Sequence, residues 1–180
     1  MDASQPTTPA APSVLPAYRP LVLLVCTGNT CRSPMAEYML RNLAEQAGDR
    51  LRVASAGTWP NVGQSAASEA IGLLREDGID LCPHRSHMLT QQDVDSADLI
   101  LVMERGHRED ISQRFARTRD KLYLLSEMAG QYSDIDDPHG GTLEDYAICK
   151  REIADILRKG YGRIVQLASG KEQMGRKRRR

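Results

Sequence analysis

The 180-residue sequence has few aromatic side chains and no long hydrophobic run. Aromatic residues make up 4% of the chain, with one tryptophan and one phenylalanine, which argues against a nucleic-acid partner bound by base stacking. The longest apolar run, Leu21 to Cys26, has six residues, whereas a membrane-spanning helix needs about 20. The N-terminus also lacks the basic and apolar regions of a signal peptide. We therefore expect a protein without membrane contact that stays in the cytoplasm.

Cysteine and histidine are too few and too scattered to predict a metal site. The four cysteines form no C-x-x-C pair, and the four histidines do not combine with them at zinc-binding spacing. In a chain without an export signal the cysteines are expected to be reduced thiols. Cys149 falls on the apolar face of a predicted helix, which favours a thiol in the core.

Both ends of the chain differ from the middle. Residues 1–19 contain four of the nine prolines, spaced by Ala, Ser and Thr, and predict a disordered leader. Residues 169–180 end in a run of basic residues. That tail is typical of a solvated terminus, with contact to nucleic acid, the ribosome or an acidic partner as the alternative. The expected domain therefore spans residues 20–168.

Between these ends, predicted strands alternate with predicted helices. Such alternation predicts an α/β fold in which a parallel sheet carries helices on both faces. Ligands of such sheets bind beyond the carboxyl ends of the strands, so the loops there are where we look for chemistry. The predicted strands cover about 21–25, 51–55, 98–103 and 121–125, and the helices about 33–47, 66–76, 91–95, 104–116 and from 142 onward.

The loop after the first strand has the pattern of an anion cradle that holds a nucleophile. It reads Cys26-Thr27-Gly28-Asn29-Thr30-Cys31-Arg32-Ser33-Pro34. Gly28 and Asn29 tolerate the backbone turns that point successive N–H groups inward, and the following helix adds its positive end. Arg32 can bind two phosphate oxygens with its planar guanidinium. This positive field is expected to lower the pKa of Cys26, with Ser33 donating to the sulfur, so that Cys26 is a thiolate nucleophile.

The same loop matches neither of two nucleotide-binding motifs, and the nucleophilic chemistry it predicts requires a second functional group. It lacks the GK[ST] ending of a P-loop and the GxGxxG of a dinucleotide site, so no cofactor is expected. A cysteine phosphatase also needs a general acid for its leaving group. The polar loop 130–141 offers Asp134, Asp136 and Asp137. Asp137 is favoured because Pro138 stiffens the backbone beside it.

These motifs together resemble the low-molecular-weight protein tyrosine phosphatase family. The resemblance covers about residues 20–168 and rests on CTGNTCRSP at 26–34, SAGT at 55–58 and DPHGG at 137–141. It implies a flavodoxin-like, three-layer fold with four parallel strands and no metal. It further implies that Cys26 forms a phosphocysteine intermediate, that Arg32 holds the phosphate and that Asp137 acts as acid and then base. The remaining loop residues (Thr27, Gly28, Asn29, Thr30, Cys31 and Ser33) would bind the phosphate and shape the loop.

Within that family the sequence is similar to the bacterial protein-arginine phosphatase branch. That branch has threonine where Thr30 stands, whereas tyrosine-specific members usually carry an apolar residue. The segments 96–103 and 119–125 are also similar to the branch. His139 departs from it, because an aromatic residue usually follows Asp-Pro. The resemblance thus implies phosphoarginine-bearing proteins as substrates, with phosphotyrosine as the alternative.

Two other functions are weighed against a phosphatase. A related arsenate reductase needs two further redox cysteines, but only Cys82 is present, with Leu89 and Thr90 where the second would stand. A phosphate-binding module would not require both a thiolate and an Asp-Pro acid. We also expect mild oxidation to join Cys26 to Cys31 in a reversible disulfide.

Overall fold

The computed structural model describes the backbone of residues 18–177 and the side chains of residues 18–170. The predicted leader, apart from its last two residues, lies outside this range, as do the side chains of the basic segment from residue 171 onward. Four strands form one sheet: β1 (Leu21–Cys26), β2 (Arg52–Gly57), β3 (Leu99–Val102) and β4 (Leu122–Leu124). All pairs are parallel and the strand order is β2-β1-β3-β4, which confirms the predicted fold class.

Helices cover both faces of this sheet, because the central strands β1 and β3 are buried on both faces. The residues of β1 are all buried, which requires a helical layer on each side. One apolar cluster joins the sheet to α1 (Arg32–Ala47), α2 (Ser68–Glu76) and α5 (Leu143–Lys177). The other joins it to α3 (Gln91–Ser96) and α4 (Arg105–Arg114). The result is the three-layer, flavodoxin-like arrangement.

The carboxyl ends of three strands lie close to the predicted site residues. Because β1, β3 and β4 run in parallel, their carboxyl ends, Cys26, Val102 and Leu124, lie at the same edge of the sheet. The chain leaves β4 through a short 3₁₀ helix, Leu125–Ala129, that the sequence did not predict. It then forms the exposed segment 131–141, and α5 starts at Leu143. None of the helices in the described part of the chain has the length and apolarity needed to cross a bilayer.

Two local predictions are wrong for identifiable reasons. β2 does not end at about residue 55, as predicted, but includes Gly57, whose N–H donates to His87 and whose carbonyl accepts from Leu89. Helix α1 begins at Arg32, one residue before the predicted start, so Ser33 lies inside its first turn. The hydroxyl of Ser33 is committed to other partners in the loop, described below, and cannot cap the helix.

Candidate active site

Cys26 ends β1 with its sulfur buried beneath the following loop. Its Sγ lies 2.9 Å from the hydroxyl oxygen of Ser33 and accepts a hydrogen bond from the Asn29 backbone N–H at 3.3 Å. The Asn29 side-chain amide donates to that same Ser33 oxygen at 2.9 Å. Because the Ser33 oxygen already accepts from Asn29, its own hydrogen is left for the sulfur. The site therefore holds Cys26 with donors that favour a thiolate.

Asn29 is the residue that gives the loop its shape. It has a positive φ of 52°, a conformation that asparagine tolerates better than most residues. Its side-chain N–H₂ also donates to Ser55 on β2 at 2.8 Å, and its side-chain oxygen accepts from the His87 N–H at 2.9 Å. The His84 ring lies 2.7 Å from the Asn29 carbonyl oxygen. Both hydrogens and the oxygen of this buried amide are thus satisfied, which fixes the loop in one conformation.

A glycine on the neighbouring strand lets this loop lie close to the sheet. A Cβ atom on Gly57 would stand 2.5 Å from the carbonyl oxygen of Thr27, well inside van der Waals contact. The Thr27 carbonyl also accepts from the Trp59 N–H at 3.0 Å. Any side chain at position 57 would therefore push the loop away from β2.

Arg32 brings together three segments that are distant in sequence. Its guanidinium is 1% exposed and donates to the Ile135 carbonyl at 2.9 Å and to Asp137 Oδ2 at 2.5 Å. It also forms an ion pair with Glu104, which stands between β3 and α4. The structure thus places the predicted nucleophile loop and the predicted acid loop in direct contact through Arg32.

The aspartates of the second loop have different partners. Asp134 accepts from the Arg105 N–H at 2.8 Å and from the Arg105 guanidinium at 2.9 to 3.2 Å. Asp137 is the one that reaches Arg32, and its other oxygen accepts from the His139 N–H at 3.2 Å. Asp136 lines a second, adjoining cleft rather than the one above Cys26. This placement favours the aspartate chosen from the sequence.

The cleft above the cysteine has a volume of about 220 Å³. Three of its lining residues, Trp59, Asn61 and Gln64, come from the loop after β2 and were not predicted from the sequence. Nor were Glu104, which pairs with Arg32, and Ser55, which anchors Asn29. Glu104 had a usable signal, because it lies two residues beyond the end of β3 and so at the same edge of the sheet as Cys26. The lining residues are Cys26, Thr27, Gly28, Thr30, Cys31, Arg32, Trp59, Asn61, Gln64, Asp137 and His139.

The electrostatics of Cys26 differ from the prediction. Burial raises the pKa of the Cys26 thiol, while the Ser33 hydrogen bonds, the Arg32 charge and the Asn29 N–H act in the opposite direction. The lowered pKa expected from the sequence is therefore wrong for this arrangement. The physical reason is burial, the largest effect on this thiol, which outweighs the Ser33 and Asn29 hydrogen bonds and the Arg32 charge.

The other cysteines occupy three different environments. Cys31 precedes α1 as a buried free thiol, with its sulfur 3.4 Å from the Tyr146 hydroxyl. Its oxidation to a disulfide with Cys26 stays a prediction. Cys149 is buried in the core, as predicted, and burial raises its pKa to about 12. Cys82 is exposed and does not line the cleft. Among the described side chains, no three histidines, cysteines or carboxylates cluster as metal ligands do.

Comparison with known proteins identifies the group that shares this architecture. Residues 21–170 match the model of the family described as low molecular weight phosphotyrosine protein phosphatase. A protein-arginine-phosphatase of Bacillus subtilis (strain 168) is 40% identical over 139 residues, which are 77% of this chain and 92% of the relative. A probable low molecular weight protein-tyrosine-phosphatase, EpsP of Ralstonia solanacearum, is 40% identical over 66% of this chain and 77% of its own length.

A solved structure extends the likeness to three dimensions. It is described as the YwlE arginine phosphatase in a mutant form with a phosphorylated active-site serine. It is 38% identical, covers 77% of this chain and 91% of its own, and superposes with a TM-score of 0.75.

Proposed function

The chain belongs to the low molecular weight phosphotyrosine protein phosphatase family and is a protein phosphatase, and on this basis we propose that it hydrolyses phosphoarginine in proteins through a phosphocysteine on Cys26. The family match spans residues 21–170. The observation that carries the finer assignment is Thr30, a polar residue in the wall of the cleft above Cys26. The relative with the phosphorylated active-site serine supports covalent phosphate transfer at the corresponding position.

The first chemical step uses groups already in contact. The Cys26 thiol first releases its proton to solvent, and the thiolate sulfur then attacks phosphorus, so that an S–P bond forms as the P–N bond to the arginine side chain breaks. Arg32 binds the phosphate oxygens. In doing so, its guanidinium replaces the carboxylates of Asp137 and Glu104 with the phosphate as its partner. Asp137 takes up a proton from solvent once Arg32 has turned to the phosphate, and it donates this proton to the departing nitrogen. The contact between Arg32 and Asp137 at 2.5 Å supports this assignment because it puts the acid beside the phosphate site.

The second step restores the enzyme. Asp137, now a carboxylate, takes a proton from water, and the oxygen of that water attacks the phosphorus of phosphocysteine. The S–P bond breaks, and inorganic phosphate and the Cys26 thiolate are released. The donors from Ser33 and Asn29 stabilise that leaving thiolate.

The polarity of the cleft favours a guanidinium substrate. Thr30, Asn61, Gln64 and Asp137 all face the space above the phosphate site. The leaving group of phosphoarginine is polar and cationic on protonation, so it gains from hydroxyl, amide and carboxylate partners. Thr30 is held in place by its carbonyl oxygen, which accepts from the Ala67 N–H at 2.9 Å.

Phosphotyrosine is the second candidate, because one wall of the cleft is aromatic. Trp59 lines it and is 81% exposed, a surface on which a phenol ring would stack. One relative that bears the protein-tyrosine-phosphatase name, EpsP of Ralstonia solanacearum, is also 40% identical, over 66% of this chain. A direct comparison of the two substrates is therefore required.

The test compares kcat/KM on phosphoarginine and phosphotyrosine placed in the same peptide. We expect the wild type to prefer phosphoarginine, and Thr30→Ile to move the ratio of the two values toward phosphotyrosine by roughly tenfold or more, as loss of a polar partner in a built site does. Thr30→Val, which removes only the hydroxyl at nearly constant size, separates polarity from bulk. An equal loss on both substrates would remove the arginine assignment and leave the phosphatase intact.

A further inference from the structure

One buried histidine contacts the phosphate site but has no part in the chemistry above. His107 lies in the first turn of α4 and is 6% exposed. Its Nε2 is 2.8 Å from the hydroxyl oxygen of Thr27, the residue after the nucleophile, and 4.0 Å from a carboxylate oxygen of Glu104. Its Nδ1 is buried without a hydrogen-bond partner among the described residues. A buried imidazole with an unused nitrogen needs an explanation beyond packing.

Glu104 connects this ring to Arg32. One carboxylate oxygen, Oε1, forms an ion pair with the Arg32 guanidinium and is also the atom that lies 4.0 Å from His107 Nε2. About a third of the Glu104 side chain is exposed, 36%, so packing does not enclose the carboxylate completely. A neutral ring attracts that carboxylate little, whereas an imidazolium would compete with Arg32 for it.

We propose that His107 is a positioning residue whose protonation draws Glu104 away from Arg32 and thereby strengthens the hold of Arg32 on the phosphate group. The proton comes from solvent and binds a ring nitrogen, and no other bond is made or broken. With the neutral ring, Glu104 occupies part of the guanidinium. With the charged ring, Glu104 pairs with His107 and more of the guanidinium faces the anion. The proposal rests on phosphate binding by the loop that starts at Cys26 and is independent of which phosphorylated residue is the substrate.

The groups around His107 set the direction of this effect. Burial lowers the pKa of the His107 imidazolium, and the Arg32 charge acts in the same direction, whereas Glu104, Asp137 and Asp110 oppose it. A dianion bound to Arg32 offsets the Arg32 charge and frees Glu104, so it raises the pKa of His107. By linkage the anion must then bind more tightly to the protonated form. Anion affinity is therefore expected to rise as the pH falls through the titration of His107.

The experiment measures sulfate binding by calorimetry in the full-length Cys26→Ser protein, from about pH 7.5 to about pH 5, where histidine titrates and most carboxylates remain charged. Sulfate stays a dianion over this range, and the serine removes titration of the nucleophile. We expect the dissociation constant to fall roughly tenfold, which corresponds to one unit of pKa coupling. Adding His107→Gln, which keeps a hydrogen bond to Thr27 but cannot gain a proton, should flatten the pH profile while sulfate binding near neutral pH persists.

His87 provides the matched control, since its half-exposed ring bonds only Asp93 among the described side chains. His87→Gln should leave the sulfate profile unchanged. As a measurement without substitution at position 107, NMR titration should show the pKa of His107 rising with sulfate. The same pH profile with and without His107, or an unmoved His107 titration, would overturn the inference while leaving the proposed function in place. Absence of sulfate binding at every pH would remove both.

Discussion

The loop that carries Cys26 and the loop that carries Asp137 meet at Arg32, but they are held by opposite means. In residues 26–33 most side chains are buried, including Asn29, Arg32 and Ser33, and the side chain of Asn29 is hydrogen-bonded to Ser33 in the loop and to Ser55 on β2. In residues 131–140 only Ile135 and Pro138 are buried. The first loop is fixed by a hydrogen-bonded interior, and the second is fixed at a few points.

Those few points hold one side of the acid loop and leave the other accessible. Ile135 is buried, and its N–H donates to the Met103 carbonyl at 2.9 Å. Arg105, at the start of α4, donates hydrogen bonds to the Asp134 carboxylate. Asp137 follows these anchors and is 40% exposed. The difference suits the two roles proposed for these loops, because an anion cradle must be preorganised whereas a proton donor must change partners during each turnover.

Removing the nucleophile should produce the largest effect. Cys26→Ser is expected to lower kcat by at least about 10⁴-fold, since a serine hydroxyl stays protonated where the thiolate attacks. Because the rest of the loop is held by Asn29 and Ser33, the variant should still bind sulfate. Steady-state assays with an aryl phosphate and calorimetry measure the two properties.

Cys149→Ser serves as the control, since that thiol is buried in the core and has no proposed role in the reaction. Its kcat should stay close to that of the wild type. Release of phosphate by Cys26→Ser at a rate near that of the wild type would contradict the assignment of the nucleophile.

Removing the acid should have the next largest effect, and it should depend on the substrate. Asp137→Asn is expected to lower kcat about 100- to 10,000-fold for substrates with poor leaving groups, the usual contribution of a general acid. Activated aryl phosphates, whose leaving groups need no proton, should be much less affected. A plot of log kcat against leaving-group pKa measures this as a steeper slope in the variant.

The neighbouring aspartate is the control for charge in the same loop. Asp136→Asn removes the same charge next to Asp137 but does not line the cleft above Cys26, so its slope should match that of the wild type. A slope change in Asp136→Asn with none in Asp137→Asn would show that the acid was misassigned.

The comparison also explains what could be predicted from the sequence. The position of the Cys26 loop could be predicted because its determinants are local. A buried strand, residues that permit a turn and a helix start all lie within one stretch of chain. Asp137 was predicted through the Asp-Pro dipeptide. The resemblance to a known family supplied the roles of these residues, which spacing alone does not provide.

Partners from distant segments were not predictable in the same way. Glu104 had only its place after a strand as a signal, while Ser55 and His107 lie in segments that resemble an ordinary strand and an ordinary helix start. The pKa of Cys26 was predicted in the wrong direction for a related reason. The sequence indicates the cation Arg32 but does not show that the sulfur is buried deeply enough for the loss of solvation to outweigh the Arg32 charge.

Loosening the fixed loop should have a smaller effect than removing a reacting group. Asn29→Gly keeps the positive φ but removes the amide that bonds Ser33 and Ser55. We expect kcat to fall roughly 10- to 100-fold through misplacement of the sulfur and its donors. The free energy of unfolding should fall by about 1–3 kcal/mol, because buried hydroxyls lose a partner. Denaturant titration and steady-state kinetics measure the two changes.

Asn29→Ala separates backbone from side chain at the same position. It removes the same hydrogen bonds but must also adopt a left-handed conformation, which costs a further 1–2 kcal/mol or so. Its stability should therefore lie below that of Asn29→Gly. Equal stability of the two variants would show that the backbone strain at this position is relieved by a shift of the loop.

Loosening the acid loop should have the smallest effect, about tenfold or less on kcat for poor leaving groups. Asp134→Asn removes the ion pair with Arg105 but leaves Ile135 in the core, so Asp137 stays near the site with less restraint.

Hydrogen bonds from Arg105 hold the pKa of Asp134 below its usual range. An acid with a depressed folded-state pKa stabilises the structure above its unfolded pKa, and this contribution is lost as the pH falls through the folded value. The Arg105 amide, which donates to Asp134, should therefore be more protected from hydrogen exchange in the wild type than in Asp134→Asn near neutral pH, and the difference should vanish in acid. Asp110→Asn, which breaks an exposed ion pair with Arg114 on the same helix, should leave that amide unchanged. Equal protection in Asp134→Asn and the wild type at neutral pH would mean that Ile135 alone holds the loop.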